Sequence, residues 1–366
     1  MRVLVVNAGS SSLKLRLLGP GDEVLADRTI DPWKVGDAES VAELLQGLDG
    51  VDAVGHRIVH GGASFRDAIR IDDQVLDQIA ELTPLAPLHQ PRALAGIKAV
   101  RAALPDIPSV ACFDTAFHAR MSAPSAQYAL PEVWRKRWKL RRYGFHGLSH
   151  AHAARRAAAM LTRPEAGLRM VTCHLGAGAS LAAVENGHSI DTTMGFTPLE
   201  GLVMATRSGT VDPGLVLWLI TEANLDPQEV RRGLEEHSGL AGLTGGSGDM
   251  RDVLVGREQG DPLSMLAFDI YIHRLVREIG GMSATLNGLD VLVFTGGVGE
   301  HAPPVRAEAA ARLTHLGVAI DDQRNSTASA DADISADHAT VSTLVIESRE
   351  DLEIASQTRI VLSATV

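Results

Sequence analysis

Val3-Leu4-Val5-Val6-Asn7-Ala8-Gly9-Ser10-Ser11-Ser12-Leu13-Lys14-Leu15-Arg16-Leu17-Leu18 reads as a buried strand, a Gly/Ser turn and a second strand in immediate succession. Gly9 opens a turn closed to residues that carry a Cβ, and the flanking N–H and hydroxyl groups of Ser10 and Ser12 can then converge on one anion. Lys14 adds a positive charge. The same residues also suit an ordinary β-hairpin with a polar turn. The rest of the chain has to choose between a phosphate cradle and a polar turn.

The chain has 366 residues, more than one hydrophobic core usually serves, so two domains with a cleft between them are expected. A net charge of -11 argues against a partner such as nucleic acid or a membrane surface, which demand concentrated Lys and Arg. A small anion held by local positive groups remains compatible with it. Cys112 and Cys173 stand far apart in unlike contexts and read as core thiols of a reducing compartment. Met1-Arg2 precedes only four apolar residues, too few for a signal-peptide core, so the expected location is cytoplasmic.

Short apolar runs alternate with helical stretches, the pattern of an α/β protein. Strands are expected at 51–54, 110–113, 169–173 and 291–294, and helices at 91–104, 151–161, 227–234, 262–286 and 351–362. Asp226-Pro227 and Asp261-Pro262 each place an acceptor at the N-cap and proline at the first helical position. Gly280-Gly281 predicts a kink or a close helix contact, and 325–338 reads as a surface excursion. Val171-Thr172-Cys173-His174-Leu175-Gly176-Ala177-Gly178-Ala179-Ser180-Leu181 repeats the opening design of strand, Gly-rich turn and strand. If the halves share one topology, two such hairpins grip a polyphosphate from both sides. Chance recurrence of a Gly-rich turn is the other reading.

Several constellations point to an anion. In Gly55-His56-Arg57-Ile58-Val59-His60-Gly61-Gly62, glycines bracket an arginine whose planar fork suits carboxylate or phosphate. Asp114 follows another apolar run, at the strand end where ligands of open α/β sheets gather, although it also suits a helix cap. Tyr143-Gly144-Phe145-His146-Gly147 sets an imidazole between glycines, and Ala205-Thr206-Arg207-Ser208-Gly209 supplies a second bracketed arginine. Two arginines and a histidine on one site suit the dispersed negative charge of phosphoryl transfer. Gly245-Gly246-Ser247-Gly248-Asp249-Met250-Arg251 and Thr295-Gly296-Gly297-Val298-Gly299-Glu300-His301 add Gly-rich turns that a nucleotide can approach closely.

Taken in order, these motifs, with Leu85-Ala86-Pro87-Leu88-His89 and Phe113-Asp114-Thr115-Ala116-Phe117-His118, resemble the acetate kinase family over nearly the whole chain. That family lies within the actin, heat-shock chaperone and sugar-kinase superfamily. The resemblance implies two α/β domains of duplicated ribonuclease-H-like (actin-like ATPase) topology about a central cleft, with domains at 1–118 plus 351–366 and at 119–350. It implies ATP/ADP as nucleotide, Mg²⁺ with Mn²⁺ as a substitute, a short-chain carboxylate as acceptor, and a homodimer formed through the second domain. Carried over by position, Asn7 and Glu350 are metal-associated, and Ser10, Ser12 and Lys14 line the phosphate end. Arg57 holds the acyl carboxylate, with Val59, Leu88 and Pro198 shaping the methyl pocket and His89 beside it. Asp114 is the catalytic carboxylate, and His146 and Arg207 stabilise the transition state. His174, Leu175, Gly176, Ala177 and Gly178, Asp249, Met250 and Arg251, and Gly297, Val298, Gly299, Glu300 and His301 contact ATP.

The chemistry is consistent with this independently. A carboxylic acid acceptor titrates at about pH 4.3, so it is ionised at neutral pH and needs no strong base. Asp114 is then a positioning or metal-organising group, and the obstacle is repulsion between two anions, which cations in a water-poor site offset. Against the family pattern, Ala177 and His301 replace asparagines, Gln90 an asparagine, Ala205 a glycine, and Arg349 an asparagine before Glu350. The close alternative is a propionate or butyrate kinase; from another class, a non-catalytic actin-like nucleotide-binding protein, which needs no acyl site.

Overall fold

The structure is a computed structural model that describes residues 1–9, 12–34, 36–364. The chain divides into two compact units: Met1–Arg120, Phe145–His152 and Arg349–Val366 in one, Met121–Gly144 and Ala153–Ser348 in the other.

Each unit is built on a six-stranded mixed sheet. In the first, β1 (Val3–Ala8), β2 (Leu13–Leu18) and β3 (Val24–Ile30) form an antiparallel meander. On the other side of β1, β4 (Ala53–Ile58) and then β6 (Ser109–Phe113) add in parallel, and the short β5 (Ile69–Arg70) pairs antiparallel with β6 at the edge. The second sheet repeats this strand for strand. β7 (Arg169–Leu175), β8 (Ala179–Glu185) and β9 (His188–Thr192) form the meander. β10 (Val291–Thr295) and β12 (Ser342–Val345) extend it in parallel, and β11 (Ala332–Asp333) is the antiparallel edge. Two copies of one meander-plus-parallel order give the duplicated ribonuclease-H-like topology expected from the sequence.

The alternation of side chains explains why β1 is apolar throughout. Leu4 and Val6 pack with Leu13, Leu15 and Val100 on one face, while Val3 and Val5 pack with Val110, Cys112 and Ile354 on the other. A strand buried on both faces has no polar alternation to show. The helix Gln90–Ala103 covers the first face and the helix Glu350–Ser363 the second. Gly55 on β4 lets that last helix approach: a Cβ there would lie 2.5 Å from Thr358 Oγ1 and 2.6 Å from Ile354 Cγ2.

The expected helix starts hold, with Asp226 accepting from Gln228 N and Asp261 from Ser264 N. Two expectations are corrected. The helix Pro262–Thr285 runs through Gly280-Gly281, and a Cβ at either glycine would meet nothing within 4 Å, so no close contact requires them. The stretch 325–338 is a surface excursion only in part: most of it is exposed or half-buried, but Asn325 is 4% exposed, Ile334 is fully buried, and β11 lies within it. Both cysteines are buried and free, and burial pushes the Cys112 thiol up to about 12 and the Cys173 thiol up as well.

Candidate active site

In the first unit the parallel strands deliver their side chains at their carboxyl ends. Asn7 comes from β1, Arg57 from β4, Asp114 directly follows β6, and Glu350 opens the last helix. Arg57 forks onto Asp114, donating from Nε to Oδ1 at 3.1 Å and from Nη2 to Oδ2 at 2.7 Å. Its Nη1 donates to Asn7 Oδ1 at 3.3 Å, and Glu350 Oε2 lies 3.5 Å from Nε. Asp114 is almost fully buried, whereas the Arg57 side chain is 20% exposed. Burial, together with the Glu350 carboxylate, pushes the Asp114 carboxyl above its ordinary value against the pull of Arg57. Burial opposes the Arg57 charge, but Asp114 and Glu350 outweigh it and raise that group. Two carboxylates against one guanidinium leave an excess negative charge, so the cluster favours a further cation.

His146 belongs to the same unit. It has a left-handed backbone, φ 56°, a conformation histidine adopts more readily than bulky or branched residues. Its turn is fastened on both sides. Gly147 N donates to the Asp114 carbonyl at 2.9 Å, and a Cβ at Gly147 would lie only 2.1 Å from that oxygen. On the other side, Phe145 is held by its carbonyl, 3.0 Å from His118 Nε2, and by the His60 ring set edge-on at 5.5 Å. The His146 backbone is thereby tied to that of Asp114. His89, at the start of the helix Gln90–Ala103, lies close enough to draw the Asp114 carboxyl downward. Val59 is half-buried and Leu88 is 61% exposed.

The opening turn closes through Gly9 N donating to Ser12 O at 2.8 Å, and Asn7 pairs with Lys14 across β1 and β2. Lys14 is exposed and Ser12 half-buried. Ser10 lies outside the described residues. Arg349, beside Glu350, forks onto Asp351.

The second unit holds a cavity of ≈ 660 Å³. Of the expected nucleotide residues, Gly176, Ala177, Asp249, Met250, Arg251, Gly297, Val298 and His301 line it. Gly176 N donates to Gly178 O at 2.9 Å, closing the turn between β7 and β8. His174 and Leu175 end β7, with Leu175 fully buried. Gly299 and Glu300 lie on the short helical turn Gly296–His301, which Glu300 fastens: its Oε1 accepts from Gly296 N at 2.8 Å and Ser348 N at 2.9 Å. Asp249 caps the helix Met250–Glu258 through Arg251 N, and the Arg251 side chain holds its carboxyl down at about 2. Arg207 donates from Nη1 to Pro198 O at 2.6 Å, and burial lowers its pKa. Leu240, Leu254 and Tyr271 also line the cavity, and sequence reasoning missed them. They sit at core-like positions on helices, and only the fold distinguishes a cavity wall from a packed interior. A largely apolar wall with a few polar groups is the usual character of a small-molecule site.

A model of the acetokinase family matches residues 37–356. The chain belongs to the acetokinase family. An acetate kinase of Synechococcus is 44% identical over 396 aligned residues, covering 97% of this chain and 98% of that protein. Among solved acetokinase structures, the acetate kinase of Porphyromonas gingivalis superposes with a TM-score of 0.93 at 34% identity, covering 99% of both chains. A propionate kinase from Francisella tularensis superposes at 0.91 with 35% identity, covering 98% of this chain and 99% of its own. The acetokinase chain described here therefore has the actin-like ATPase fold.

Proposed function

We propose that this chain is an acetate kinase: it transfers the γ-phosphoryl group of ATP to acetate, reversibly, giving acetyl phosphate and ADP. The observation that carries the proposal is the buried Arg57–Asp114 fork with Asn7 and Glu350 against it. Asp114 fixes the plane of the guanidinium, and the partly exposed Arg57 side chain receives the acetate carboxylate. Because acetate arrives ionised, no proton has to be removed. Asp114 therefore positions Arg57 and takes no part as a base. In line with this, an acetate oxygen attacks the γ-phosphorus, a P–O bond forms as the bond to the ADP oxygen breaks, and no net proton moves. His146 and Arg207 donate to the phosphoryl oxygens as charge spreads over them.

Asn7 and Glu350 offer hard oxygen donors beside an excess negative charge, which suits Mg²⁺ with its preference for one or two protein ligands and substrate phosphates. When bound there, Mg²⁺ neutralises phosphate charge, and Mn²⁺ substitutes for it. Ser10, Ser12 and Lys14 are assigned to the phosphates, and the cavity of the second unit to the nucleoside. The proposed domains are 1–118 plus 351–366 and 119–350.

One observation favours propionate as the second reading. Leu88, assigned to the methyl pocket, is 61% exposed, so its side chain can yield to another methylene, worth about 1–3 kcal/mol. A homodimer is part of the proposal, supported by the exposed apolar side chains Leu215, Leu217 and Trp218 (47%, 62% and 54% exposed) on the helix Pro213–Thr221. No described helix is long and apolar enough to cross a membrane, and a cytoplasmic location completes the reading. Hydroxamate formation from ATP with acetate, propionate and butyrate tests the function. Acetate is expected to give the highest kcat/KM, and no product from any of the three acids would overturn it.

A further inference from the structure

Arg306 is fully buried, yet among the described residues no carboxylate pairs with it. It lies on the helix Pro303–Ala311, directly after the short helical turn Gly296–His301. Its Nη1 donates to the carbonyls of Gly299 and Glu300, both at 2.8 Å. Its Nε donates to Asn325 Oδ1 and its Nη2 to Asn325 O, each at 2.7 Å. Asn325 Nδ2 in turn donates to Pro303 O at 3.1 Å. Burial draws the guanidinium down to about 10, still charged at neutral pH. A buried charge without an opposite charge is costly, and here only oriented oxygens offset the cost.

The two carbonyls that Arg306 holds belong to the helical turn whose Gly297, Val298 and His301 line the cavity of the second unit. The same turn is held at its other end by Glu300, whose carboxylate takes Gly296 N and Ser348 N. Backbone gripped at both ends cannot relax independently of these two side chains. A lysine cannot replace the arginine, because one ammonium cannot span four acceptors on two separate segments.

We propose that Arg306, with Asn325, is a positioning residue for nucleotide binding: it fixes the Gly296–His301 turn in the shape that receives the nucleoside. The inference rests on the nucleotide reading of the cavity, and it assigns affinity to a side chain that never touches the ligand. Loss of charge-assisted hydrogen bonds of this kind corresponds to about a tenfold change in a binding constant.

Calorimetric titration with ADP, run on the wild-type chain, Arg306→Lys and Asn325→Leu, tests it without using the acceptor site. Arg306→Lys is expected to weaken ADP binding about tenfold and raise KM for ATP equally, with kcat and KM for acetate within threefold. Asn325→Leu, which leaves the arginine in place but removes one acceptor, is expected to move ADP affinity in the same direction by less. A variant that melts earlier yet binds ADP as tightly as wild type makes Arg306 purely structural and overturns the proposal. Failure of the wild-type chain to bind ADP overturns the nucleotide reading instead.

Discussion

The link between Asp114 and His146 is open to a one-atom test. In Gly147→Ala the new Cβ would stand 2.1 Å from the Asp114 carbonyl oxygen and 2.8 Å from Phe117 Cβ. A carbon and a carbonyl oxygen rest at about 3.3 Å, so the two backbones must part by about 1 Å. Neither neighbour is the loose end of a long side chain. The 2.9 Å bond from Gly147 N to that same oxygen is strained or lost as they separate. Overpacking and the weakened bond together cost about 1–3 kcal/mol of stability. Displacing a transition-state donor by about 1 Å costs roughly 10²-fold in turnover. The assay is hydroxamate formation with ATP and acetate, alongside thermal unfolding and ADP titration. The expected result is kcat reduced about a hundredfold, a lower Tm, and unchanged ADP affinity, because the nucleotide cavity lies in the other unit. Full turnover with a native melting curve would refute the claim that this contact fixes His146 relative to Asp114.

Three further outcomes follow from the site. Ala177 is exposed and lines the cavity, so Ala177→Asn adds an amide donor without a clash and is expected to raise kcat, by up to roughly 10²-fold; unchanged or lower turnover counts against it. Chelation of divalent metal is expected to abolish transfer, with Mn²⁺ restoring it, and Glu350→Gln to raise the half-saturating metal concentration by at least about tenfold; an unaltered metal requirement removes Glu350 from that role. The Asp249 carboxyl, held at about 2 by Arg251 against an ordinary 3.8, stabilises the fold above about pH 4 and loses that contribution as pH falls towards 2. The stability gap between wild type and Asp249→Asn in urea is therefore expected to shrink across that window, and a gap constant with pH contradicts the assignment.

What was legible in the sequence is what local chemistry dictates. The two strand–turn–strand segments, the proline-marked helix starts and the glycine-bracketed Arg57, His146 and Arg207 each announce themselves within a few residues. The fork of Arg57 onto Asp114 was not legible, because the partners are joined by sheet register rather than by spacing. Arg306 was invisible for a related reason: in an alanine-rich helix an arginine reads as solvent-facing, and its acceptors include backbone carbonyls that carry no sequence signal. Asn325 misled in the same way, since a polar, alanine-rich stretch gives no hint that its amide is the buried end of that contact. The pair Gly280-Gly281 reads as a kink or a close helix contact, yet a Cβ at either position would meet open space.

The two buried cysteines have a practical consequence. Both thiols are fully buried on sheet strands with burial holding them protonated, so thiol-directed reagents should find almost nothing to modify in the folded protein. The native chain is thus already a silent background for labelling. A cysteine introduced at exposed Asp106 and another at exposed Arg232 would place one dye on each unit, and neither native cysteine need be removed first. Energy transfer between the dyes, followed as ATP and acetate are added, would then report motion during turnover directly.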